Sequence, residues 1–143
     1  MLHCVPHDVL LIAASLIISP GPNVMLYRIT EPGDWARAQQ TGFFASADLA
    51  AEGFIHSSGP HQILETARRY YAGRDDLVLL EWDEAALAAA HVRVEREWVA
   101  SRGEAFAHVF GPVPLAAVRR TWPFGVDGAG GFRLPVELVL AAN

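Results

Sequence analysis

Six consecutive residues, Leu77-Val78-Leu79-Leu80-Glu81-Trp82, are apolar almost without interruption. A strand with one wet face alternates apolar and polar side chains. A run apolar on both sides of the pleat belongs at the centre of a sheet. The segments after it read as further strands: a half-exposed one over 92–95, another over 105–110 closed by Gly111-Pro112, and a third over 119–124. Asp83 is placed to cap a helix over 84–90, and 114–118 reads as a short helical or turn piece. Asp127-Gly128-Ala129-Gly130-Gly131 has the composition of a hairpin loop. Short helices among mostly hairpin-linked strands predict an α+β fold with a mostly antiparallel sheet, not a doubly wound one.

The first half supplies the polar chemistry. Residues 25–29 read as a strand, and Thr30 is placed to cap a helix that holds Pro32 in its first turn and ends at Gly42. A second helical turn over 46–52 stops at Gly53. Gly53-Phe54-Ile55-His56-Ser57-Ser58-Gly59-Pro60-His61 then reads as a short strand, a polar turn and the start of a helix over 61–71, with Gly73 as its C-cap. One His and two Ser beside a helix N-terminus suit an anionic ligand such as a phosphate. The same residues also suit a plain turn in which the Ser58 hydroxyl caps the helix.

A chain of 143 residues, 52% hydrophobic and 19% charged, is long enough for one domain with a real core. Net charge is -5, and no basic run exceeds the pairs Arg68-Arg69 and Arg119-Arg120, so no nucleic-acid partner is expected. A single cysteine, Cys4, excludes an internal disulfide and a cysteine zinc site, and points to the cytoplasm. Residues 1–24 differ in character from the rest. Their ten-residue apolar run, 9–18, is about half the ~20 residues that cross a bilayer. No Lys or Arg precedes the run, and no small-x-small cleavage site follows it, as a signal peptide requires. We therefore expect no membrane partner. Residues 1–24 would be an extension or a start placed too early, ahead of one domain over 25–143; a short helix capping an apolar surface is the other reading. The string Ser19-Pro20-Gly21-Pro22-Asn23-Val24 is similar to the start of LysE-type exporters. Common nucleotide loops and nucleophile motifs are absent, and His56, His61 and His108 lack metal-site spacing, so no metal is expected.

Three segments read together carry a further resemblance: Leu26-Tyr27-Arg28-Ile29-Thr30, Gly53-Phe54-Ile55-His56-Ser57-Ser58, and Gly103-Glu104-Ala105-Phe106-Ala107-His108-Val109-Phe110-Gly111-Pro112. With the joining stretch 71–80, they resemble the bacterial family known as domain of unknown function 952, over about 25–135. Members of that family look like small relatives of the ADP-ribosyltransferase fold, a split antiparallel sheet that grips NAD in a cleft. The resemblance implies a cytoplasmic domain binding NAD or an ADP-ribose-type nucleotide, with NAD as substrate and no fixed cofactor. It places Arg28, Ser57 and Ser58 at ligand-binding positions, and Glu104, His108 and His56 at catalytic ones. Neither Glu104 nor His108 sits in a Gln/Glu-x-Glu, so ADP-ribosyl transfer stays open. The alternative is a ligand-binding or protein-interaction module that has lost the chemistry.

The residue types suit such a cleft. Cleaving the nicotinamide–ribose bond develops positive charge on the sugar, which an acceptor or carboxylate stabilises. Arg28 offers a planar fork to a diphosphate, or else covers apolar surface with its stem. Set in an open cleft, it would add little to stability. Phe54, His56 and Ser58 share one face of their strand by period two, as Phe106, His108 and Phe110 do. Each His thus reads either as a cleft residue or as part of an aromatic wall.

Overall fold

The computed structural model describes residues 24–142. The apolar run forms β4 (Leu77–Asp83), with β1 (Met25–Thr30) on one side and β8 (Val118–Phe124) on the other, both antiparallel. Leu26 lies opposite Trp82, and Leu77 opposite Phe124. Both faces of β4 are covered, as its sequence requires. Leu80 and Trp82 look into one core with Leu26, Phe44, Ile55 and Val109. Leu77 and Leu79 look into a second, shared with Tyr27, Ile29, Ile63, Ala67 and Leu138. Glu81 is the polar exception in the run. It is buried, accepting from the Tyr27 hydroxyl at 2.8 Å and from Arg120 at 2.7 and 2.8 Å.

A second three-stranded sheet runs β3 (Ile55–His56), β6 (Glu104–Phe110), β5 (Arg93–Val99), again antiparallel. A small ladder joins β2 (Phe43–Phe44) to β7 (Val113–Pro114). The two larger sheets meet where Tyr27 and Ser58 exchange backbone hydrogen bonds, each 2.8 Å. The architecture is mixed α+β with antiparallel sheets and short helices. No helix among the described residues is long and apolar enough to cross a membrane. The readings made for residues 1–23 lie outside the described residues.

Several boundaries depart from the sequence reading. The first helix, α1 (Pro32–Thr41), is preceded by Glu31, not Thr30, at the cap position. Helix α2 (Ala47–Glu52) stops at Gly53, whose φ of 89° is cheap only for glycine. Ser58 caps nothing. Its neighbour Gly59 holds the cap position, and the Gln62 side chain accepts from the Gly59 amide at 2.9 Å. A 3-10 turn (Pro60–Gln62) then leads into α3 (Ile63–Tyr70), whose C-cap is Tyr71 and not Gly73. Asp83 caps α4 (Glu84–Ala89) through the amides of Ala85 and Ala86. A final helix, α5 (Val136–Ala142), has no counterpart in the sequence reading.

Candidate functional site

A cavity of about 670 Å³ opens where the two sheets meet, lined from β1, α1, α2, β3, α3, β5, β6 and the β5–β6 turn. Its floor is organised by Asp48 near the start of α2. One carboxylate oxygen accepts from Arg28 Nη1 at 2.8 Å and from the His56 amide at 2.9 Å, and lies 2.9 Å from His56 Nδ1. The other accepts from the Ser46 hydroxyl and from the Leu49 amide. Burial by itself would raise the Asp48 pKa. The bond from His56 and the charge of Arg28 outweigh it and hold the carboxyl well below its ordinary range. Arg28 Nη1 also donates to the His56 carbonyl at 3.0 Å, which ties the first strand to the third.

Above this floor the β3–β6 register sets His56 directly opposite His108. Their rings meet edge-on, with centroids 5.3 Å apart. Phe54 stacks on His108 at 4.0 Å and touches His56 at 5.0 Å. The far strand contributes Glu97, whose Oε1 lies 2.7 Å from His108 Nδ1. Each imidazole is thus held at Nδ1 by a carboxylate, and His56 Nε2 has the Glu52 carboxylate only 3.9 Å away. His108 Nε2 is buried and has no hydrogen-bond partner among the described residues.

The electrostatics of the lining are uneven. Glu31 pairs with Arg74 at 2.6 Å, Asp34 with Arg37 at 3.2 Å, and Asp48 with Arg28, while Glu52 lies 3.9 Å from His56 Nε2. Every acid lining the cavity therefore faces a basic group. Arg102, in the β5–β6 turn, faces no acid among the described residues. Its guanidinium lies 4.5 Å from the Phe106 ring centroid and 5.8 Å from that of Tyr70, and its Nη2 is buried without a partner. Tyr70 and Trp98 line the same cavity while 61% and 69% exposed, a large aromatic area for an outer wall.

Of the residues singled out in the sequence, Arg28, His56, Ser57, Ser58 and His108 line this cavity. Glu104 does not. It accepts from Gln62 at 3.1 Å and lies 3.6 Å from His61 Nε2, so its carboxylate serves the start of α3. The Ser57 hydroxyl is spent on the Ala107 carbonyl at 2.7 Å. Ser58 uses its backbone, not its hydroxyl, in the bridge to Tyr27. No group of three or more His, Cys, Asp or Glu among the described residues is placed to hold a metal ion. Asp48, Glu97 and Arg102 escaped the sequence reading. Asp48 carried a usable signal, an acid in the helix just before His56. Arg102, beside Ser101 and Gly103, looks like any solvated turn cation.

The comparisons place the chain in a family and add no chemistry. The family model described as protein of unknown function, DUF952, matches residues 29–121. The crystal structure of protein CC0527 from Caulobacter crescentus is 30% identical, with a TM-score of 0.67, covering 80% of this chain and 98% of that one. The solution NMR structure of CC0527 is 34% identical with a TM-score of 0.63, over 81% and 97% of the two chains. No curated protein matches the chain. The chain belongs to the DUF952 family of proteins of unknown function.

Proposed function

We propose that the cavity binds a small phosphate-bearing nucleotide of the NAD or ADP-ribose type. The observation that carries this reading is Arg102, the one cation of the lining left without an acid among the described residues. A guanidinium stacked on an aromatic ring and short of an anion is a ready phosphate partner. The volume lies within the roughly 300–1,000 Å³ usual for small-molecule sites, and Tyr70, Trp98 and Phe106 offer surface to a base. Antiparallel sheets meeting at a cleft are compatible with an ADP-ribosyltransferase-like fold. Arg28, neutralised by Asp48, acts as frame, and the Ser58 hydroxyl is available for a ribose. With Glu104 out of the lining and Asp48 committed, transfer of ADP-ribose is not part of this reading.

Calorimetric titration with NAD, ADP-ribose and AMP tests it. Binding of a diphosphate nucleotide is expected, weakened about 10- to 100-fold in Arg102→Gln, the scale of a lost hydrogen bond to a charged group. A parent protein that takes up none of the three ligands, or an Arg102→Gln protein that binds as well as the parent, would sink the proposal.

A further inference from the structure

We propose that His56 and His108 form an acid–base pair that hydrolyses a phosphodiester, such as a ribonucleoside 2′,3′-cyclic phosphate, held in this cavity. The proposal rests on the reading that the cavity takes a phosphate-bearing nucleotide, and it goes beyond binding. Two imidazoles from neighbouring strands stand 5.3 Å apart, each anchored at Nδ1 by its own carboxylate. The anchoring fixes which nitrogen exchanges a proton, as in carboxylate–histidine pairs generally. His108 Nε2, buried and unpaired, is a polar atom whose partner is missing. Leaving such a group unmet costs stability, so a site that keeps one gains when a ligand atom arrives.

The kind of bond follows from the charges. Breaking an N-glycosidic bond calls for a free carboxylate beside the sugar, and the acids of this lining are drawn to basic groups. Hydrolysis at phosphorus calls instead for a base, an acid and a cation. Arg102 supplies the cation. It packs on Phe106, two residues from His108 in β6 and on the same face of that strand, so cation and imidazole border one cavity. His56, 47% exposed, is the imidazole that water can reach, and its Nε2 takes the proton of the attacking water. The water oxygen bonds to phosphorus while the bond from phosphorus to one ribose oxygen breaks. His108, held at Nδ1 by Glu97, acts as the acid and delivers a proton from Nε2 to that oxygen. Water and diester become a phosphomonoester, and solvent restores both imidazoles.

The groups that face the pair are few. Asp48 and Glu52 from α2 and the Arg28 guanidinium from β1 surround His56. Glu97 holds His108, and Glu95 lies opposite it in the register of β5.

Phosphorus NMR of 2′,3′-cyclic AMP incubated with the protein provides the test, with calorimetry of ADP-ribose alongside. Turnover to a phosphomonoester is expected, with a bell-shaped pH profile, and each of His56→Gln and His108→Gln should lower kcat at least about 100-fold. Glu97→Gln removes a half-exposed carboxylate and is the variant least prone to unfold. As a positioning change it should lower kcat with KM nearly unchanged. A parental kcat in Glu97→Gln overturns the pair even where His108→Gln fails to fold, as does parental turnover in either His variant. ADP-ribose binding without turnover overturns the hydrolysis and leaves the nucleotide reading standing. Neither binding nor turnover removes both.

Discussion

At the scale of single residues, Asp48 decides what the site can tolerate. Its carboxylate gathers Arg28, Ser46 and His56, and it is ionised at every ordinary pH. Because its pKa falls on folding, the ionised form contributes stability that is complete above the unfolded carboxylate pKa of about 4 and drains away as pH drops below it. Asp48→Asn should therefore be less stable than the parent at pH 7, and the gap should narrow as both are titrated toward pH 2. Urea midpoints across that range decide it; a constant gap would mean the ionised carboxylate is not what matters. The same contact reverses the expectation for Arg28, which does not sit in an open cleft. Its side chain and that of Asp48 are only 14% and 12% exposed. Removing the cation strands a covered carboxylate, so Arg28→Ala should cost about 2–4 kcal/mol, somewhat below the fully buried case. A loss under ~1 kcal/mol at pH 7 would show the pair to be solvated.

At the scale of elements, the close approach of β8 to the loop before β4 is a sharper constraint than any motif. A Cβ on Gly125 would fall 2.5 Å from the Asp75 Cα, with backbone on all three nearest contacts. Gly125→Ala should lower stability by roughly 1–3 kcal/mol through forced backbone movement. Gly33, in the first turn of α1, has nothing within 4 Å of its Cβ position, so Gly33→Ala should be neutral or gain up to ~1 kcal/mol. Equal effects at the two sites, measured by thermal melts, would refute the packing argument. What the sequence made legible follows the same division between local and distant causes. β4 announced itself because both its faces are apolar, and α2 because a glycine ends it. β3 is two residues long, and its partner lies some fifty residues on, so its register had no local signature. α5 was missed because seven mostly apolar residues show no decisive period; only packing makes Leu138 the buried one while Val136 and Leu140 face out. His56 and His108 were singled out because period two and the aromatic neighbours survive in the sequence, and both line the cavity. Arg102 was not, because its meaning lies in acids that pair elsewhere.

At the scale of the whole molecule, the cavity draws on both sheets, and a ligand in it bridges them. β1 supplies Arg28, β3 and β6 supply the histidines, and α3 and the β5–β6 turn supply Tyr70 and Arg102. The sheets share one apolar core, but their backbones bridge at Tyr27 and Ser58. Binding confined to the folded form raises stability by mass action alone, about 2.7 kcal/mol at a ligand concentration of a hundred times Kd. In a domain of this size that moves the melting midpoint by roughly 10 °C. ADP-ribose at that excess should give this shift in the parent protein. In Arg102→Gln the unliganded midpoint should barely change, since the guanidinium gives up stacking but no ion pair, while the shift at the same ADP-ribose concentration should shrink to a fraction of the parent's. Raising salt should shrink the parent's shift too, because the attraction between Arg102 and a phosphate at a half-open site is screened. A parent midpoint that stays put under ADP-ribose would mean that no nucleotide spans the two sheets. A shift that Arg102→Gln retains in full would mean that the phosphate is held by some other group.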